Sequence, residues 1–371
     1  MSPLTQATVM KTLEGVRDPE LGGNVVELGM VTDVSIDGPK VGIGLALTIA
    51  ECPLRSQIEG DVLRRVEAMP GVGAVEVRTT AMTKRQRAEL MSVARRKARE
   101  NAEPTQVSPT TRVITVASGK GGVGKSSVSV NLAAGLAANG FAVGLLDADI
   151  WGFSIPRMIG ADTKLEADAD TKLIEPVTAH GVRVVSTGLI VDSEETALMW
   201  RGLMLSKALE QFLKQVAWGD LDYLVLDMPP GTGDVQMALT RMLPQAEMVV
   251  VTTPQSAAQR VATRVADMAR RSHMPVVGVI ENMSGDVFGS GGGADLANEL
   301  GVDLLASIPL DPAVVAGGDS GQPVVLAGSG EAADALSMMV ETVTAVVPPA
   351  AMETCTGRIA KLISDLEDGA A

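Results

Sequence analysis

Hydrophobic residues fall into short continuous runs through the larger, later part of the chain, and stretches with a helical pattern separate these runs. Continuous apolar runs, unlike alternating ones, are typical of strands that are buried on both faces of a parallel sheet. The intervening helices would then cover both faces. The pattern predicts a doubly wound, mostly parallel α/β domain over residues 112–347. Its predicted strands are Val113–Ala117, Val143–Leu146, Val182–Ser186, Tyr223–Leu226, Met248–Val251, Val276–Ile280 and Leu304–Ile308.

The first 82 residues have a different pattern, in which polar and apolar positions alternate in two short segments between helical ones. Alternation predicts strands with one exposed face, and Asp37-Gly38-Pro39 suits the turn of a hairpin. A small α+β domain over residues 1–82 is therefore expected. Its predicted elements are a helix at Thr5–Val16, strands at Val31–Ile36 and Val41–Ile49, a helix at Pro53–Met69 and a strand at Ala74–Thr80.

Two further segments complete the predicted organisation. Residues 83–111 comprise a helix rich in Lys and Arg, Lys84–Asn101, and a linker that contains Pro104 and Pro109. A basic helix between two domains is most simply a solvated one. Residues 348–371 form a C-terminal tail that begins at Pro348-Pro349.

The composition narrows the classes of function. The 371 residues carry a formal net charge of −14, which argues against a general binder of nucleic acid or of anionic membranes. Only 2 Cys and 2 His are present, which does not favour a disulfide framework and fits a reducing compartment. With no signal peptide and no apolar run long enough to cross a bilayer, we expect a cytoplasmic protein.

A glycine-rich stretch after the first predicted strand of the larger domain carries the clearest chemistry. Gly119, four residues and then Gly124-Lys125-Ser126 have the spacing of a phosphate-binding loop, and a helix is predicted from Ser127 to Ala138. Glycines let backbone N–H groups face phosphate oxygens, and the helix N-terminus favours anions. Lys125 would contact the terminal phosphates and the Ser126 hydroxyl would bind Mg²⁺.

The loop also contains a second lysine, Lys120, which an ordinary phosphate loop does not need. The stretch Lys-Gly-Gly-Val-Gly-Lys-Ser resembles the deviant loop of the MinD, ParA and nitrogenase iron protein class of ATPases. That resemblance implies that Lys120 reaches the nucleotide of a second subunit. An extra cation would stabilise the charge that develops during phosphoryl transfer.

Carboxylates follow two of the other predicted strands. Asp147 and Asp149 come after the second strand, and Asp227 follows the run from Tyr223 to Leu226, as the acid of a magnesium site does in P-loop enzymes. The carboxyl ends of parallel strands meet at one edge of a sheet, where ligands bind. Asn282, at the end of a later strand, offers a donor and an acceptor to a nucleotide base.

Several segments together resemble the Mrp/ApbC family of dimeric ATPases that carry iron–sulfur clusters to apoproteins. They are the loop, Asp-Ala-Asp-Ile-Trp-Gly from Asp147, Asp-Met-Pro-Pro-Gly-Thr-Gly-Asp from Asp227, Glu-Asn-Met-Ser from Glu281 and Ile-Pro-Leu-Asp-Pro from Ile308. The resemblance implies ATP, Mg²⁺ and a 4Fe–4S cluster as ligands, slow ATP hydrolysis, and homodimer, apoprotein or assembly-factor partners.

The resemblance also implies roles for individual residues. Lys120, Lys125 and Asp149 would be catalytic, with Asp149 positioning the attacking water, and Ser126 and Asp227 would hold Mg²⁺. Asn282 and Pro309 would hold adenine. The nucleotide would be bound by Gly119, Lys120, Gly121, Gly122, Val123, Gly124, Lys125, Ser126, Ser127, Asp147, Asn282 and Pro309.

The cysteines depart from that family. Its Cys-x-x-Cys is absent here, because residues 284–293 contain no cysteine. Cys52 precedes a predicted helix, a position that favours the thiolate, and the segment from Asp18 through Cys52-Pro53 resembles the small domain shared by iron–sulfur maturation factors. Cys52 is thus a candidate cluster ligand, whereas Cys355 lies in the tail as an incidental thiol.

Three functions therefore stay open. The first is an ATPase that carries clusters, and the second is a cluster-free dimeric switch that recruits maturation partners. The third is a MinD/ParA-type positioning ATPase, against which the acidic charge and the net-acidic tail count.

Overall fold

The computed structural model describes residues 4–18, 23–47, 55–83, 85–87, 89–90, 92–93, 102–150, 152–190, 202–231 and 233–349. The chain divides into two compact units, residues 1–101 and 102–371. None of the helices in the described ranges is both long and apolar enough to span a membrane.

The first unit is a small α+β fold, as predicted. Helix α1 (Gln6–Leu13) begins after Thr5, whose side chain accepts a hydrogen bond from the Thr8 N–H in a reciprocal capping box. Strands β1 (Val31–Asp37) and β2 (Lys40–Leu47) form an antiparallel hairpin. Helix α2 (Arg55–Glu67) crosses to β3 (Ala74–Ala81), which pairs in parallel with β2.

Helical residues also follow this unit's last strand. Residues 85–87, 89, 90, 92 and 93 are helical, and the rest of the predicted basic helix lies outside the described residues. Leu90 is buried and belongs to the same hydrophobic core as α1, α2 and β2.

The second unit is built on an eight-stranded sheet in the order β13-β12-β11-β4-β10-β5-β9-β8. Seven of these strands are the predicted ones, each within two residues at the start and four at the end, and their neighbours pair in parallel. They are β4 (Arg112–Ser118), β5 (Val143–Asp147), β9 (Val182–Val185), β10 (Tyr223–Asp227), β11 (Glu247–Thr252), β12 (Val276–Ser284) and β13 (Asp303–Pro309).

The pattern of continuous apolar runs did not reveal the sheet's outer edge. Strand β8 (Val177–Ala179) is antiparallel to β9, and β6 (Glu166–Ala167) and β7 (Ile174–Glu175) form a two-stranded hairpin. These segments have two or three residues each, which is too short for periodicity to separate them from loop.

Helices cover both faces of the large sheet, which confirms the doubly wound arrangement. They are α3 (Lys125–Ala138), α4 (Ile155–Ile159), α5 (Gly202–Gln215), α6 (Gly233–Met242), α7 (Ser256–Arg271), α8 (Gly292–Leu300), α9 (Pro312–Ser320) and α10 (Glu331–Val346). On β10, Leu224 and Leu226 pack in one hydrophobic core while Tyr223 and Val225 pack in the other. Side chains that alternate between two cores explain why the strand is apolar throughout.

Candidate functional site

The phosphate-binding loop lies between β4, the central strand, and helix α3, as the motif requires. Gly122 and Gly124 have φ values of +80°, a left-handed conformation that glycine adopts without strain. Gly119 has a different reason to be glycine: a Cβ there would collide with the backbone of Val261 in helix α7. The loop is thus held close against α7.

A cavity of about 270 Å³ opens over this loop. Eight of the predicted nucleotide-site or catalytic residues line it, together with four residues that were not predicted. The lining residues are Ser118, Lys120, Gly121, Gly122, Gly124, Lys125, Ser126, Ser127, Asp149, Gly152, Met158 and Pro230.

Asp227 ends β10 beside the loop and is fully buried. Its Oδ2 accepts from the Lys125 ammonium at 2.7 Å and from the Ser126 hydroxyl at 2.6 Å. The predicted phosphate lysine and the predicted magnesium pair therefore already form one cluster. A hydroxyl and a carboxylate oxygen are hard ligands that suit Mg²⁺, so the donor set fits the ion.

Asp147 ends the neighbouring strand β5 and pairs in register with Asp227. Its Oδ2 accepts from the Ser186 hydroxyl at 3.0 Å and its Oδ1 from the Asp149 N–H at 3.1 Å. Burial, with the nearby Asp227 charge as a second cause, raises the pKa of Asp147 to about 8. Burial next to a second carboxylate thus favours the protonated form of Asp147.

Asp149 and Lys120 both line the cavity. Asp149 is partly buried, its Oδ1 accepts from the Gly152 N–H at 3.3 Å, and burial raises its pKa. The Lys120 side chain is exposed, and none of the ion pairs found among the described residues includes it. A basic carboxylate and an unpaired cation at one cavity are suited to orienting water and to stabilising phosphate charge.

The structure brings some predicted residues near the loop without bringing them into this cavity. Asn282 is buried and donates from Nδ2 to the Val123 carbonyl at 2.9 Å, so it braces the loop from behind. Pro309 lies half-buried at the end of β13, paired with Ser284. Asp147 is also outside the set of lining residues. Their predicted contacts with a nucleotide stay predictions.

Sequence reasoning missed three side chains that support the site. Ser129 donates to Asp227 Oδ1 at 2.7 Å, Ser186 holds Asp147, and Glu281 accepts from the Gly291 and Gly293 N–H groups and from Ser307. Ser129 could have been found, because it lies four residues after Lys125 on the same face of a helix. The partners of Ser186 and Glu281 are distant in sequence, so no local spacing signals them.

The segment that lacks the family's cysteines is a small hairpin. Gly285 and Gly289 exchange two backbone hydrogen bonds of 2.8 and 2.7 Å, and Val287 and Phe288 at its tip are exposed. Among the described residues no group of three or more His, Cys, Asp and Glu is arranged to hold a metal ion. Cys52, the candidate cluster ligand, and Cys355, the cysteine of the tail, lie outside the described residues.

Two family models match the chain. One, described as NUBPL iron-transfer P-loop NTPase, matches residues 109–344, and the other, described as iron-sulfur cluster assembly protein, matches residues 6–77. A Mycobacterium leprae protein named iron-sulfur cluster carrier protein is 47% identical over 87% of this chain and 88% of its own length. A Synechocystis protein of the same name is 42% identical over 94% of this chain and 99% of its own.

Solved structures resemble the second unit. A nucleotide-binding protein from Archaeoglobus fulgidus in complex with ADP is 32% identical, with a TM-score of 0.50 over 62% of this chain and 91% of that one. The septum site-determining protein MinD from Pyrococcus horikoshii, complexed with Mg-ADP, is 24% identical, with a TM-score of 0.51 over 65% of this chain and 98% of that one. The second likeness concerns the fold alone.

Proposed function

The chain belongs to the family of NUBPL iron-transfer P-loop NTPases, and from that premise we propose that it is a dimeric ATPase that carries iron–sulfur clusters to apoproteins. The proposal rests on the combination of a nucleotide-site geometry with the names of the relatives. The loop with Lys125 and Ser126 lines one cavity, Asp227 contacts both of these side chains, and the relatives of the chain, matched across both units, are named cluster carriers.

The geometry supports separate roles for the residues that would bind the phosphates and those that would bind Mg²⁺. Loop N–H groups and Lys125 would bind the phosphates, since the lysine lies 2.7 Å from Asp227 and would exchange one anionic partner for another. Ser126 and Asp227 would hold Mg²⁺, which when bound supplies charge neutralisation to the β- and γ-phosphates. Freed of Lys125, Asp227 would keep the Ser129 hydroxyl as a hydrogen-bond donor.

Two cavity residues fit the hydrolytic step. Asp149 lines the cavity and has a raised pKa, so it can accept a hydrogen bond from the attacking water and orient it. Lys120 is exposed and can meet the phosphates of a second copy, where its charge would stabilise the transition state. Dimerisation would thus complete the catalytic site.

A site for the iron–sulfur cluster has to be formed in this chain without the family's Cys-x-x-Cys. A cluster needs thiolates, and the hairpin that replaces the family's Cys-x-x-Cys supplies none. Cys52, with one copy from each subunit, is the proposed ligand. The second candidate function, a cluster-free dimeric switch that recruits maturation partners, is favoured by this same hairpin, whose ends are closed on each other by the Gly285 and Gly289 hydrogen bonds.

One experiment separates the two candidates. The full chain is reconstituted anaerobically with iron and sulfide, and iron per dimer is measured for wild type, Cys52→Ser and Cys355→Ser. We expect stable iron in wild type and in Cys355→Ser, the matched control, and its loss in Cys52→Ser. Transfer to a 4Fe–4S apoprotein is then followed by absorbance. Wild-type protein that retains no iron would leave the cluster-free switch as the function.

The nucleotide half has its own test. Lys125→Ala should abolish binding of a fluorescent ATP analogue, because the phosphates lose their buried cation. Lys164→Ala, which removes a lysine outside the cavity, is the control and should bind as wild type does. Tight binding by Lys125→Ala would refute the assignment of the loop.

A further inference from the structure

The two oxygens of the Asp227 carboxylate have different partners. Oδ2 accepts from Lys125 and Ser126 at the start of helix α3, the two residues that would turn to the phosphates and to Mg²⁺. Oδ1 accepts from the Ser129 hydroxyl, one turn further along the same helix, at 2.7 Å. Of these three donors, Ser129 is the one that does not line the cavity.

Ser129 is built into the fold for this contact. It lies one helical turn after Lys125 and is fully buried, so no water competes for its hydroxyl. That hydroxyl has a single proton and two acceptors in reach, Asp227 Oδ1 at 2.7 Å and the Lys125 carbonyl at 3.1 Å. The anionic acceptor is the nearer one, and charge-assisted hydrogen bonds are the shorter and stronger kind.

We propose that Ser129 is a positioning residue of the metal site: its hydroxyl fixes the Asp227 carboxylate through Oδ1 so that Oδ2 is presented beside the Ser126 hydroxyl. This inference rests on the proposed magnesium role of Ser126 and Asp227. When Lys125 and Ser126 turn toward the ligands, Ser129 is the described side-chain donor that stays on Asp227. Without it the carboxylate is free to rotate about its Cβ–Cγ bond.

The test measures metal affinity apart from turnover. Mn²⁺ replaces Mg²⁺, and its binding to the full chain in saturating ADP is followed by electron paramagnetic resonance. Groups that orient a ligand to a metal typically change affinity by about 10- to 100-fold, and we expect Ser129→Ala to weaken Mn²⁺ binding by that factor. Affinity for ADP in EDTA should stay within about twofold of wild type, because Ser129 does not line the cavity.

The chain offers a matched control at Ser272. Its hydroxyl donates to the carbonyl four residues earlier, that of Met268 at 2.9 Å, and accepts from Gln236 Nε2 at 3.2 Å. Ser272→Ala therefore removes a serine hydroxyl that also has backbone and side-chain partners, but far from Asp227 in sequence. It should leave Mn²⁺ affinity unchanged.

Three further variants make the result specific. Ser129→Thr keeps a hydroxyl and should bind Mn²⁺ as wild type does. Ser129→Cys has a similar size but only a weak donor, and it should bind Mn²⁺ more weakly. The comparison of these two variants tests the proposal even if Ser129→Ala does not fold. In an Asp227→Asn background, Ser129→Ala should have no added effect, because the partner is already lost. Full additivity of the two substitutions would overturn the proposal.

The outcomes separate this inference from the function on which it rests. If wild type binds Mn²⁺ with ADP and Ser129→Ala does so equally well, Ser129 has no positioning role and the proposed ATPase stands. If wild type binds ADP but no Mn²⁺, the metal assignment of Ser126 and Asp227 fails, and the role of Ser129 fails with it.

Discussion

The ion pair between Lys125 and Asp227 makes a quantitative prediction about the nucleotide-free protein. Lys125→Met removes the cation and keeps an unbranched side chain of similar length. The pair is separated by 2.7 Å, which gives a direct attraction of about 6 kcal/mol at an effective dielectric constant of about 20. Removing the lysine also removes the several kcal/mol that its own desolvation costs.

The net loss in the free energy of unfolding should lie near the lower end of the range found when one partner of a buried ion pair is removed. That range is about 3–5 kcal/mol, and Ser126 and Ser129 still donate to Asp227. We expect a loss of about 3 kcal/mol in the free energy of unfolding, which for a unit of this size lowers the melting temperature by roughly 5–10 °C.

Unfolding in urea and by heat, without nucleotide, measures the effect. Lys120→Met is the control: it removes an exposed lysine of the same loop and should change stability by less than about 0.5 kcal/mol. Asp227→Asn should rescue Lys125→Met, because it removes the stranded charge. Equal melting temperatures for wild type and Lys125→Met, or no rescue in the double variant, would refute this account of the buried pair.

The other predictions concern single positions. Lys120→Ala should keep ATP binding and lose turnover by about 10³-fold or more, as loss of a cation acting across a dimer does; unchanged phosphate release would contradict the role in trans. Asp147 binds a proton up to about pH 8 when folded, whereas the unfolded chain releases it near pH 4. Between these values only the unfolded chain has released the proton, so the free energy of unfolding falls as pH rises. Asp147→Asn should therefore make the urea midpoint less dependent on pH than that of wild type between pH 5 and pH 9. Gly119→Ala should weaken ATP binding and stability together, since its Cβ meets the Val261 backbone; Gly121→Ala, where a Cβ meets nothing within 4 Å, is the control for stability.

Much of the fold was predictable because its determinants are local. The strands of the large sheet are apolar runs in the sequence, and the loop motif lies between a strand and a helix as expected. Lys125, Ser126 and Asp227 could be assigned to one cluster because motif spacing and strand ends both place them at the carboxyl edge of the sheet. Element type and site location therefore followed from patterns within about ten residues.

Other features depend on contacts that sequence spacing does not encode. The antiparallel edge strand β8 is set by pairing with β9, and the bracing role of Asn282 follows from its approach to Val123, 159 positions away. The raised pKa of Asp147 arises from burial beside Asp227, and this proximity follows only from the in-register pairing of β5 with β10. Each of these is a tertiary effect.

Glu281 and Asn282 are consecutive residues of β12, and their side chains point to opposite faces of the strand. Glu281 accepts hydrogen bonds from Gly291 and Gly293 at the start of helix α8, and Asn282 donates one to the Val123 carbonyl in the phosphate loop. Two adjacent residues of β12 thus connect the start of α8 to the phosphate loop. A displacement of the start of α8 would therefore reach the phosphate loop through two adjacent residues, so that contacts made at this end of the helix and the shape of the nucleotide pocket would change together.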